Sequence, residues 1–306
     1  MKDWFKGAAR SALDAACRTR FARRLIMREL SRIAGEPWSA ALVQDFVEGP
    51  CGAAYGIDSA PKLELVEQFR RAVGGISSGT SPLAHIVLAR EIMSIPPETK
   101  GVIVECGAWK GASSASLSLV CSLVGRKLLV CDSFQGLPGD GMTPRKGMHT
   151  GVYGYYKEGM FAGSLEEVRE NIRCYGSLDS CEFVKGFFAD SLTQLREPVV
   201  FAFLDVDLVA STRDCLRSLW PLLVDGAYIY TDDAGDLDVV AVFFDDAWWR
   251  ETIGAAAPGY VGSGCGLPLN PSCSSIGYTR KMQTFDPKRW KRAPFLHYPD
   301  DDATTT

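Results

Sequence analysis

Apolar runs of strand length recur through the middle of the chain. They occupy residues 101–105, 127–131, 181–185, 199–204 and 226–231, with a last one at 275–278. Between them lie segments with helical patterning: 111–124, 164–175, 211–223 and 236–251. The 164–175 segment opens on Ser164 with Glu166 and Glu167 behind it, which suits the positive end of a helix dipole. A further helix over 81–95 is closed by Pro96 and Pro97. Repeated strand–helix alternation predicts an α/β fold built on a doubly wound, mostly parallel sheet. Residues 1–75 read as helices joined by a Gly/Pro-rich turn at 48–52. The expected organisation is therefore a helical N-terminal extension (1–75), an α/β domain (76–283) and a tail (284–306). No internal repeat is present.

Two of the strands end in carboxylates. Asp205 and Asp207 follow the 199–204 run, and Asp232 and Asp233 follow the 226–231 run. In an open α/β sheet, ligands bind in the crevice at the carboxyl ends of the strands. Carboxylates gathered there repel one another unless a proton or a cation intervenes. Oxygen donors suit Mg²⁺, Mn²⁺ or Ca²⁺, so the pattern points to a metal-holding acidic site at the sheet rim.

The glycines nearest the first strand add a ligand-binding turn. Glu105-Cys-Gly107-Ala-Trp109-Lys-Gly111 leads from strand into helix, where glycine lets a backbone approach a ligand. The spacing is not GxGxxG, which argues against a dinucleotide and for a zwitterion whose ammonium meets a carboxylate. The second strand ends at Asp132, placed for ribose hydroxyls, with a capping or turn role as the alternative. After the third strand, Phe187 or Phe188 could flank a base, or either could be plain core. Together these features favour an adenosine-type ligand.

Composition narrows the class. The chain has 306 residues and a net charge of −4, so bulk charge offers no case for nucleic-acid binding. Ten cysteines are scattered without a CxxC pair and read as reduced thiols of a cytoplasmic protein. Cys265 and Cys273 are the one pair worth testing for a disulfide. No signal peptide or membrane-spanning run is expected. Met1 to Leu30 is basic and amphipathic, with Arg18, Arg20, Arg23, Arg24 and Arg28 beside Trp4, Phe5 and Phe21. A helical arm on the domain or on a second copy is the favoured reading, with a homo-oligomer expected. Peripheral contact with an anionic inner membrane face is the alternative.

Five motifs occur in order: Val104-Glu-Cys-Gly-Ala-Trp-Lys-Gly111, Asp132-Ser-Phe-Gln-Gly-Leu-Pro138, Lys185-Gly-Phe-Phe-Ala-Asp-Ser-Leu192, Leu204-Asp-Val-Asp-Leu208 with Ser211-Thr212, and Tyr230-Thr-Asp-Asp233. In these the chain resembles the macrocin O-methyltransferase family over roughly residues 77–281. The resemblance implies a Rossmann-like class I methyltransferase fold over 76–283 and dependence on S-adenosylmethionine and Mg²⁺. It implies methylation of a sugar hydroxyl on a small-molecule or glycosylated acceptor. It further implies that Glu105, Cys106, Gly107, Ala108 and Trp109 meet the methionine part of the cofactor. Asp132, Ser133, Phe134, Gln135 and Gly136 would hold the ribose side, Phe187 would lie near adenine, and Leu204 and Asp205 would also bind the cofactor. Asp205, Asp232 and Asp233 would ligate the metal. Asp207 would be the base, with His149 of the Gly/Tyr-rich loop as a second candidate.

Two positions depart from the family pattern: Val209 and Ala234 stand where aromatics are common, which leaves the acceptor open. The long segment 142–157 suits a lid or a surface loop. Competing readings are a catechol-type O-methyltransferase and a non-catalytic membrane-associated module. A nicotinamide oxidoreductase is disfavoured by the glycine spacing.

Overall fold

The computed structural model describes residues 39–139, 154–261 and 276–282. The basic N-terminal stretch, His149, Cys265, Cys273 and the C-terminal tail lie outside the described residues.

Six strands form one sheet: β1 (Val102–Cys106), β2 (Leu128–Asp132), β3 (Cys181–Lys185), β4 (Val199–Leu204), β5 (Leu223–Thr231) and β6 (Gly277–Arg280). Their order is β3-β2-β1-β4-β5-β6, all parallel except β6. The order reverses between β1 and β4, which opens a crevice at their carboxyl ends.

Strand alternation divides the apolar side chains between two faces. Ile103, Val130, Phe201 and Phe203 pack against α1 (Ser59–Gly75), α2 (Pro82–Met93), α3 (Ala112–Leu123) and α4 (Leu165–Tyr175). Val104, Cys106, Ala202 and Ile229 face the other layer. That layer holds the short α5 (Phe188–Ser191), α6 (Val209–Leu219), α7 (Leu237–Val242) and α8 (Asp246–Thr252). The doubly wound α/β architecture expected from the alternation is present.

The segment before residue 76 is helical over 39–48 and in α1, and its Phe46, Leu65 and Phe69 join the same core as the sheet. Arg126, just before β2, fastens it: the guanidinium donates to Thr99 O, Pro96 O and the Tyr55 hydroxyl at 2.8, 2.9 and 3.0 Å. His85 of α2 is fully buried, with Nε2 2.6 Å from Thr80 Oγ1, and burial lowers its pKa to about 3.

Two helices differ from expectation. The helix expected to reach residue 223 stops at Leu219, because Pro221 cannot donate a backbone hydrogen bond. The helix expected over 236–251 is two helices. Phe243 O accepts from Gly259 N at 3.0 Å, and Asp245 caps a new start through Trp248 N at 3.2 Å. Of the adjacent tryptophans, Trp249 is buried with Nε1 donating to Val242 O at 2.8 Å, and Trp248 lies under Arg213. The seven described cysteines are free thiols. No described helix is long and apolar enough to cross a membrane.

Candidate active site

The crevice holds a cavity of about 910 Å³ at the ends of β1, β2, β4 and β5. Gly107 begins the turn after β1 at φ 91°, and a Cβ there would collide with the Asp205 carbonyl oxygen. Only glycine lets the β1 and β4 ends meet this closely. Trp109 follows at φ 45°, its ring edge-on to Phe161 with centroids 5.6 Å apart. Gly111, at φ 87°, is the cap position of α3.

Asp132 ties this turn to the next. Its Oδ2 accepts from Ala108 N at 2.7 Å and Trp109 N at 3.3 Å, and its Oδ1 accepts from Phe134 N at 2.7 Å. Burial still raises its proton affinity against the pull of these amides. The turn reading of Asp132 is therefore realised, while its carboxylate also borders the cavity. Ser133 Oγ donates to Gly136 O at 2.8 Å, and Gly136 at φ 86° packs on the carbonyls of Gly159 and Met160.

Glu105 lies beneath the rim, on the α3 side of β1. It is 0% exposed, and neither carboxylate oxygen has a hydrogen-bond partner. Burial pushes its pKa up to about 7; the nearby Ser113 and Ser114 hydroxyls pull it down and the Asp132 charge adds to the rise.

The acidic rim forms as the strand ends predict. Asp205, Asp207, Asp232 and Asp233 all border the cavity. Asp233 Oδ2 accepts from Val206 N at 3.3 Å and Asp207 N at 3.1 Å, bracing a turn in which Asp207 has φ 60°. Burial, then the charges of Asp232 and Asp233, push the Asp205 carboxyl well above the ordinary carboxylate range. Burial and the charges of Asp233 and Asp207 do the same to Asp232, whose Oδ1 is buried without a partner. Among the described residues no three His, Cys, Asp or Glu side chains are drawn together tightly enough to ligate a metal.

Of the other expected residues, Gly107, Trp109, Ser133, Gly136 and Phe187 border the cavity. Cys106, Ala108, Phe134 and Leu204 are buried behind it, and Gln135 is exposed. Phe188 borders the cavity as well. Of the two departing positions, Ala234 is buried and Val209 half-buried.

Tyr155 and Tyr156, from the end of the segment read as a lid or a surface loop, border the cavity, and so do Ser78, Glu158, Asp214 and Asp236, to which the sequence did not point. A signal existed for Asp236, which caps α7 through Asp238 N at 3.3 Å. Asp214 is one helical turn beyond Ala210 and Ser211 on α6, so these three share the face turned to the cavity.

A family model described as Macrocin-O-methyltransferase (TylF) matches residues 84–258. Over 138 residues the chain is 35% identical to the 8-demethyl-8-(2,3-dimethoxy-alpha-L-rhamnosyl)-tetracenomycin-C 4'-O-methyltransferase of Streptomyces olivaceus, covering 44% of this chain and 52% of that protein. It is 33% identical over 138 residues to the demethyldecarbamoylnovobiocin O-methyltransferase of Streptomyces niveus, with the same two coverages of 44% and 52%. The matched region thus spans about half the length of these relatives. The solved structure of the O-methyltransferase NovP aligns with a TM-score of 0.52 at 21% identity, over 80% of this chain and 100% of that one. That likeness identifies the sheet as a Rossmann-like methyltransferase fold.

Proposed function

Since the chain belongs to the macrocin-O-methyltransferase family, we propose that it moves a methyl group from S-adenosylmethionine to a hydroxyl of a sugar moiety, assisted by Mg²⁺. The observation that carries this reading is one cavity shared by the glycine turn of β1, the Asp132 loop, Phe187 and the four rim aspartates.

The residues fit the cofactor, and the rim aspartates offer a metal the right donor type although among the described residues no three of them stand close enough to ligate one. Gly107 and Trp109 give a turn open to a methionine moiety, and the unpartnered Glu105 carboxylate lies behind it as a countercharge for an ammonium. Ser133 and Phe187 border the side where ribose and adenine would lie. When bound, the cofactor supplies an electrophilic methyl carbon on a sulfonium. Asp205, Asp232 and Asp233 offer oxygen donors whose mutual repulsion a divalent cation would relieve. A cation there would orient acceptor oxygens and lower the proton affinity of the attacking hydroxyl.

The chain's own groups do the rest. Asp207, held in a left-handed turn by Asp233, faces the cavity and takes the hydroxyl proton on its carboxylate. Tyr155 and Tyr156 border the opening and limit water. Such a site also fixes acceptor oxygen and methyl carbon in line.

The test is incubation with labelled S-adenosylmethionine, Mg²⁺ and a panel of demethylated glycosides, with products read by mass spectrometry. A single methyl gain that chelator abolishes supports the reading. Transfer indifferent to chelator overturns the metal role, and transfer to no glycoside but to a small catechol overturns the acceptor class.

A further inference from the structure

Resting on the proposed reading, we infer that Ser78 donates a hydrogen bond to the carboxylate of the cofactor's methionine part, and that Thr80 and the buried His85 set the polarity of that hydroxyl. Ser78 and Gly79 border the cavity, in the loop that leads into α2. Arg126, just past α3, donates to Pro96 O and Thr99 O, just past α2. The two helices pack on each other and each has 12 residues, so with their C-terminal ends together their N-terminal ends meet as well. At the N-terminal end of α3 lies the Gly107–Gly111 turn, the side given to the methionine part.

A carboxylate entering there needs donors. No described lysine or arginine borders the cavity. The turn's own amides are committed: Gly107 N donates to Cys131 O at 3.0 Å, and Ala108 N and Trp109 N donate to Asp132. Ser133 Oγ donates to Gly136 O, and Ser81 Oγ accepts from Ala84 N as the cap of α2. The Ser78 hydroxyl closes only on its own loop, donating to Thr80 O at 2.8 Å. A carboxylate is the stronger acceptor, because charge about doubles a hydrogen bond, and the hydroxyl turns to it.

The direction of this hydroxyl is decided behind it. Ser78 Oγ lies 3.2 Å from Thr80 Oγ1, which lies 2.6 Å from His85 Nε2. His85 is fully buried and edge-on to Phe69, and its Nδ1 has no partner. Burial keeps the ring neutral, so it carries one N–H. A proton on Nδ1 would orphan a donor in the core, whereas a proton on Nε2 orphans only an acceptor. The orphaned N–H is the rarer defect. His85 Nε2 therefore donates to Thr80 Oγ1, the Thr80 hydroxyl donates to Ser78 Oγ, and the Ser78 hydroxyl donates forward. Each link polarises the next. The opposite tautomer would draw the Thr80 hydrogen back to the ring and turn the Ser78 hydrogen away from the cavity.

The test titrates S-adenosylmethionine and decarboxylated S-adenosylmethionine calorimetrically into wild type and Ser78→Ala, with Mg²⁺ present. The ligands differ only in the carboxylate. Ser78→Ala is expected to weaken S-adenosylmethionine about tenfold and the decarboxylated form less than about twofold. Thr80→Val is expected to show the same selectivity in smaller degree. Equal weakening of both ligands by Ser78→Ala, or of neither, overturns the inference. Magnetic resonance of protein carrying isotopically labelled histidine is expected to find the His85 proton on Nε2, and a proton on Nδ1 overturns the relay. The chain has three histidines, so the His85 signals are identified by their loss in His85→Gln. That variant keeps an N–H donor and is expected to bind S-adenosylmethionine close to wild type, with His85→Leu severalfold weaker. Failure of wild type to bind either ligand is a separate result: it defeats the methyltransferase reading and this inference with it.

Discussion

The Asp233 carboxylate accepts the backbone N–H of Asp207 at 3.1 Å, joining the end of β5 to the turn after β4. The second Asp of the β5 pair thus shapes the turn that presents the first pair. Asp233→Ala removes an acceptor used by two backbone amides. It is expected to cost about 1–3 kcal/mol in urea unfolding and to abolish turnover. Asp233→Asn keeps an acceptor oxygen, so its stability is expected near wild type while turnover still collapses. Equal stability of the two variants would show that the brace is unimportant.

Asp207→Asn separates proton removal from architecture. Its backbone stays in the left-handed turn, a conformation asparagine tolerates. S-adenosylhomocysteine affinity is expected to be unchanged and turnover to fall at least about a hundredfold. Near-normal turnover would take Asp207 out of the base role.

Gly107→Ala tests the closeness of β1 and β4. The substitution combines a φ of 91° with a collision at the Asp205 carbonyl. A loss of about 2 kcal/mol or more of unfolding free energy is expected, together with loss of cofactor binding. A stable protein with normal affinity would contradict the geometry of the turn.

Glu105 gives a pH dependence with a definite sign. Its folded pKa, about 7, exceeds its unfolded value near 4.5. The folded state therefore holds the proton more tightly between those values. Stability from this group is present at low pH and declines as pH rises from about 4.5 to about 7. His85 acts oppositely: folded at about 3 against 6.5, it costs stability as pH falls below 6.5. Glu105→Gln isolates the first effect. The variant is expected to gain on wild type by up to about 3 kcal/mol between pH 5 and pH 8 in unfolding of the cofactor-free protein. A constant difference across that range would contradict the burial of an ionisable Glu105.

Much of this architecture was legible in the residues. The runs at 181–185 and 199–204 coincide with β3 and β4, because fully apolar or alternating segments bounded by turn formers admit little else. The rim aspartates were legible because an acid directly after a parallel strand has one place to go. Asp214 was not, since its approach to the cavity depends on how α6 packs rather than on any local pattern. The amides that occupy Asp132 were equally hidden: they come from a turn about two dozen residues earlier. The break between α7 and α8 depends on Phe243 O turning to Gly259, a partner no helical periodicity reveals.

The most direct measurement is a calorimetric titration of S-adenosylhomocysteine into the purified protein, with and without Mg²⁺. Binding at micromolar concentration is the expected result, lost in Gly107→Ala and retained in Asp207→Asn. Folded protein that takes up no S-adenosylhomocysteine in either condition would contradict the methyltransferase account and leave the rim aspartates to another chemistry.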